Sequence, residues 1–243
     1  MNIILASVSQ APVAVAQLES LGHIYRVKPF IRSLPPPAEF CLVLFIGFGL
    51  SIAFEIWVVA LRYTIVIDDM GILKNVVQKL LCLGTILWIG RVRGWSVSTF
   101  GWRISWKGTA AGILLFIIVT TVKILVLISL GAIHPERPGV VFAGLTVPVI
   151  ILLALINPFF EELLAAGYFI HALQRYGMWL CVLASSVFRG LLHVYQGYNS
   201  AAAILVGGLF IGFAYWRWRQ LWPLVIAHFL DDFIGLLYFR HVA

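Results

Sequence analysis

The chain has 243 residues, of which 62% are hydrophobic and only 11% charged, with a mean hydropathy of +1.00 and a net charge of +7. A soluble domain carries about 25% charged residues, so this composition excludes a water-exposed globule and points to a membrane protein. The Lys and Arg residues lie in short stretches between apolar runs rather than on one basic face, which argues against a nucleic-acid partner and for a lipid bilayer.

In chain order, residues 1–38 read as an N-terminal interfacial segment. Ala14-Val15-Ala16 resembles a signal-peptide cleavage site, but no basic residue precedes Ile3, and Ser7, Ser9 and Gln10 interrupt the apolar run. The segment ends at the helix breaker Pro35-Pro36-Pro37. Residues 39–243 read as a membrane-embedded helical domain. A span needs about 20 mostly apolar residues. The candidates are Phe40–Leu61, Val76–Gly90, Thr109–Gly131, Val140–Ile156, Met178–Tyr195, Ala201–Trp216 and Leu221–Phe239. A further amphipathic helix is expected over Pro158–Arg175, with Pro158 in its first turn and Gly177 past its end. The expected fold is an all-α polytopic membrane helix bundle with seven to eight transmembrane helices and no sheet. With the N-terminus inside, the basic stretches around Arg26–Arg32, Arg91–Lys107 and Arg217–Arg219 all fall on one side, which predicts a cytoplasmic N-terminus. Cys41, Cys82 and Cys181 lie in apolar runs without metal or disulfide spacing and read as small hydrophobes.

Ionisable groups at membrane depth are costly and mark candidate functional sites. Those of the last third form three clusters. Glu161 and Glu162 are adjacent, so their side chains point about 100° apart on a helix. Taken alone, such a pair reads more readily as acids favoured near a helix N-terminus than as a site. Arg189 and His193, at i and i+4, are expected to share one helix face. A buried guanidinium requires a carboxylate, and Glu161 or Glu162 is the expected partner. His228 and Asp232 repeat the i, i+4 spacing. That pair can fix an imidazole tautomer, bind a metal or polarise a carbonyl, or simply hold two helices together. Jointly the clusters supply a base, two imidazoles, a cation and an acid, a set suited to water activation and oxyanion stabilisation.

The order Glu161-Glu162-x-x-x-x-Gly167, then His193 in a later span, then His228-x-x-x-Asp232 resembles the CPBP family. That family groups the CAAX prenyl endoproteases with bacterial Abi-type membrane proteins. The resemblance covers about residues 85–240 and includes Arg93-Gly94-Trp95-Ser96 and Phe100-Gly101-Trp102-Arg103, similar to the amphipathic stretch preceding the family core. It implies a multi-pass protein in the cell (inner) membrane of a prokaryote. It also implies a glutamate-dependent peptidase with no metal or other cofactor, acting on a membrane-associated peptide or protein. By that resemblance Glu161 and His193 activate water, His228 and Asp232 stabilise the oxyanion, and Glu162 supports the site. HExxH, the usual helical zinc signature, is absent.

Three positions depart from the family pattern. Ala166 stands where the first motif carries Arg, Arg189 where the second carries Phe, and Asp232 where Asn is common. A cation transferred from position 166 to the facing helix accounts for the first two, and so does decay of the site. An ionised Asp232 accepts hydrogen bonds and cannot donate one, so its expected role is to orient His228. Two alternatives to catalysis remain: a non-catalytic immunity or scaffold protein retaining the polar core, and a proton-relay transporter, against which the lack of an inverted repeat counts.

Overall fold

The computed structural model describes residues 27–61, 65–132 and 140–242. Most of the expected interfacial segment, residues 1–26, lies outside them. The described elements are α1 (Pro36–Leu61), β1 (Ile65–Ile67), α2 (Asp69–Arg93), α3 (Trp106–Ser129), β2 (Val140–Phe142) and α4 (Val147–Glu161). A π-helical segment (Glu162–Tyr168) follows, then α5 (Phe169–Leu173), α6 (Met178–Leu191), α7 (Tyr198–Trp218) and α8 (Trp222–Val242). Five helical stretches are long and apolar enough to cross a membrane: α1, α2, α3, the continuous rod Val147–Tyr176, and α7. The 14-residue α6 and 21-residue α8 complete the bundle. Large apolar side chains such as Phe45, Leu50, Ile56, Leu114 and Ile117 remain exposed on its outside, as lipid requires. The chain is an all-α, multi-pass membrane protein.

Three expectations change. The helices expected at Val140–Ile156 and Pro158–Arg175 are one rod with Pro158 inside it. Proline removes a backbone hydrogen bond, but strongly apolar sequence on both sides keeps the rod continuous, and the wider π turn follows immediately. The span expected to reach Tyr195 stops at Leu191, because Val194–Gln196 form a tight turn that ends at Gly197, with φ +102°, just before α7 begins. Finally, β1 and β2 pair in parallel over three residues each, with Ile65 opposite Val140, where no sheet was expected. Beside this pair, the Asp69 carboxylate accepts from the Thr146 backbone N–H at 2.9 Å and from its hydroxyl at 2.7 Å, joining the starts of α2 and α4.

The rod α4 packs against α2 and α8, α3 packs on α7 and α8, and α6 lies along α7. Small residues let α6 and α7 approach. A Cβ at Gly208 would sit 2.9 Å from the Ser186 hydroxyl and 3.3 Å from the Arg189 Cδ, so glycine there makes room for the Arg189 stem. A knot around the buried Glu39 steadies the π segment from the other side. Glu39 accepts from Arg93 at 2.5 Å, from the Trp95 indole at 3.0 Å and from the Tyr168 hydroxyl at 3.2 Å. Phe100 packs edge-on against Trp95 and Tyr168 and lies under Gly167.

The loop carrying Phe100 is pinned at Gly101, which has φ +76° and whose carbonyl accepts from Leu221 N–H at 3.3 Å. A Cβ at Gly101 would lie 1.9 Å from the Arg219 carbonyl oxygen. Gly101→Ala is therefore expected to destabilise by at least the roughly 1–3 kcal/mol of a disfavoured backbone conformation. The check is a lower thermal midpoint in detergent, with Gly94→Ala as comparison: its φ of +84° is similar, but the space around it is open.

Candidate active site

The site forms where the middle of the α4 rod meets α6 and α8. Glu161 ends the α-helical part and Glu162 opens the π segment, so the two carboxylates leave the rod in different directions midway along it, not at a helix N-terminus. π turns recur at functional positions because they re-aim side chains without ending a helix.

Glu162 is wholly buried. The Arg189 guanidinium grips it with two parallel bonds, Nη1 to Oε1 at 2.7 Å and Nη2 to Oε2 at 2.6 Å. This is the pair expected from charge balance together with the roles that the resemblance implies, which leave Glu161 to address water. Ala166, the position of the family's usual Arg, is fully buried without a charge, and Arg189 delivers the cation from the facing helix. Glu162 Oε1 also contacts His228 Nδ1 at 2.8 Å. A carboxylate accepts only, so Nδ1 carries the proton and Nε2 is the atom of His228 turned to the rest of the site. That Nε2 lies 3.5 Å from Asp232 Oδ1 and 3.9 Å from Glu161 Oε2.

His193 departs from its expected place. With α6 ending at Leu191, His193 sits in the following turn, its backbone N–H bonded to the Gly190 carbonyl at 3.1 Å. It no longer shares a helical face with Arg189. Its Nδ1 meets Gln196 Nε2 at 3.1 Å, and the amide also donates to the Tyr195 hydroxyl at 2.9 Å. The imidazole lies within electrostatic reach of Glu161, His228 and Asp232.

Two residues join that the motifs do not name. Lys79, from α2, donates to Glu161 Oε1 at 3.0 Å and to the Asn157 carbonyl oxygen. Asn157, one turn before Glu161, donates in turn to Asp232 Oδ2 at 2.7 Å. Asn157 is a single polar side chain in an apolar run, and Lys79 is one of several polar residues (Lys74, Asn75, Gln78) at the start of its helix, so the sequence signals neither as a member of the site. Nearby, Lys123 pairs with Asp231 at 2.7 Å, which takes that carboxylate out of the site. Among the described residues no group of three or more His, Cys, Asp and Glu is arranged to hold a metal ion. A surface concavity of about 600 Å³ bordered by Lys28, Pro29, Arg32 and Ser33 includes none of the site residues.

Removing one partner of a buried ion pair leaves the other uncompensated, at a typical cost of about 3–5 kcal/mol. Arg189→Ala is expected to destabilise on that scale. Arg189→Lys should recover only part of it, because a single ammonium cannot reproduce the two parallel bonds. Thermal unfolding of the three proteins in the same detergent checks the order; equal midpoints for parent and Arg189→Ala would show that the pair carries no stability.

Residues 143–234 match the family model described as Type II CAAX prenyl endopeptidase Rce1-like. Comparison with curated proteins and with solved structures gave no match. The matched segment runs from just before α4 into α8 and contains Glu161, Glu162, Arg189, His193, His228 and Asp232. In this core, a helical membrane unit with its polar groups in the order of the motifs, the chain is similar to the CAAX-protease-like membrane proteins of the CPBP family.

Proposed function

We propose that this CAAX-protease-like membrane protein is a glutamate-type intramembrane endopeptidase that hydrolyses a peptide bond in a membrane-associated peptide or protein. The observation that carries the reading is the unequal placement of two adjacent carboxylates. Glu162 is consumed by Arg189 and His228, whereas Glu161 keeps Oε2 turned toward His228 Nε2. In this reading Glu161, with His193, takes the proton of a water that attacks the scissile carbonyl. His228, its Nδ1 anchored on Glu162, presents a protonated Nε2 to the developing oxyanion. Asp232 orients that imidazole and does not itself donate. Glu161 then passes the proton to the leaving amine. Low-dielectric surroundings strengthen each of these electrostatic interactions.

One observation favours a second reading, a non-catalytic membrane module that keeps the polar core for assembly. Lys79 already occupies Oε1 of the carboxylate that would meet water.

The two readings separate in proteoliposomes holding the full chain. Fluorogenic peptides would be offered with and without a C-terminal isoprenyl cysteine, together with membrane-anchored peptides. The peptidase reading expects cleavage that falls about a hundredfold or more in Glu161→Gln, the scale of a lost general base, and comparably in His228→Ala. Cleavage at equal rates by parent and Glu161→Gln, or no cleavage in any format, selects the second reading.

A further inference from the structure

We propose that Lys79 and Asn157 are positioning residues of this site: the Lys79 ammonium fixes Glu161 as an aimed acceptor, and the Asn157 amide, oriented by Lys79, sets Asp232 against His228. The proposal rests on the peptidase reading for its consequences in turnover. It rests on geometry alone for the clamp itself.

Asn157 and Glu161 are one turn apart on the rod, so they present one face to α2 and α8. Lys79 reaches both from α2. An ammonium has three donors and no acceptor. Its bond to Asn157 must therefore end on the amide oxygen, which leaves the amide NH2 to donate to Asp232. The direction of every bond in the chain Glu161–Lys79–Asn157–Asp232 is thereby set by one charge. His228 closes the ring, with Nε2 at 3.9 Å from Glu161 and 3.5 Å from Asp232. Lys79 and Asn157 hold the two carboxylates from one side and the imidazole faces them from the other.

The charges support the same assignment. Glu161 is surrounded by Lys79 from α2, His193 from the turn after α6 and His228 from α8, and Glu55 of α1 interacts with both Glu161 and Lys79. Arg189 is spent on Glu162. Lys79, whose side chain is 13% exposed, is therefore the cation paired with Glu161.

The test uses the full chain in proteoliposomes with Lys79→Gln, Lys79→Arg and Asn157→Ala, read by infrared spectroscopy and by turnover of a peptide substrate. Lys79→Gln is expected to gain protonated-carboxyl absorbance at pH 7 over the parent, a new band that Lys79→Gln/Glu161→Gln loses; Lys79→Arg, which keeps a cation, should not gain it. In turnover, Lys79→Gln and Asn157→Ala are expected to lose kcat about a hundredfold with KM nearly unchanged, the scale of a misplaced catalytic group, and Lys79→Arg to retain most of kcat. Asn157→Ala leaves the Lys79–Glu161 pair in place, so it should lose kcat without the new band, and it serves as the second probe if Lys79→Gln does not fold. The new band without cleavage by the parent supports the clamp and counts against the peptidase reading. No new band in folded Lys79→Gln, or parental kcat in Lys79→Gln or Asn157→Ala, overturns the proposal.

Discussion

A guanidinium cannot lie in the interior of an apolar bundle without an anion, and the arrangement around Arg189 follows from that constraint. Its partner Glu162 is held on a π turn of the α4 rod, wholly out of solvent and bonded through both oxygens. The helix carrying Arg189 must come close enough for the bonds to form, and Gly208 with Ser186 supplies the close packing between α6 and α7. Such a pair gains little over a well-packed apolar contact, but losing one half is expensive. Its contribution is geometric: once Arg189 and Glu162 are paired, the direction of the next carboxylate, Glu161, is decided.

From that pair the site is built outward by shared oxygens. Glu162 Oε1 serves both Arg189 and His228, which places the imidazole and its tautomer. His228 then stands between Glu161 and Asp232. Neighbouring carboxylates in one sequence motif thus acquire different partners, one fully satisfied by a fork of donors, the other shared between an ammonium and an imidazole. The surrounding frame resists rearrangement. The Glu39 knot ties Arg93, Trp95 and Tyr168 to the π segment, and Asp69 fastens the start of α2 to the start of α4.

The departures from the family motif are consistent with a relocated cation. Position 166 is packed shut around alanine, and the charge arrives from the opposite helix at position 189. A second cation, Lys79, enters from α2, outside the segment that matches the family model. Lys79 contacts Asn157 and Glu161, and Asn157 passes the contact on to Asp232, so a residue far earlier in the chain reaches three others inside that segment.

By itself, the sequence determined the membrane class, because composition and run length are local quantities that the bilayer reads directly. It also determined which polar residues are too costly to bury idly, and from charge balance that Arg189 needs a carboxylate from the Glu161-Glu162 pair. It did not determine that the rod runs on through Pro158 or that α6 ends at Leu191. Nor did it reveal that His193 leaves its helix, that β1 and β2 pair, or that Lys79 and Asn157 belong to the site. Those depend on contacts between segments as much as about 80 residues apart. A polar side chain on a membrane helix says only that a partner exists; which partner is fixed when the helices pack and their facing sides are chosen together.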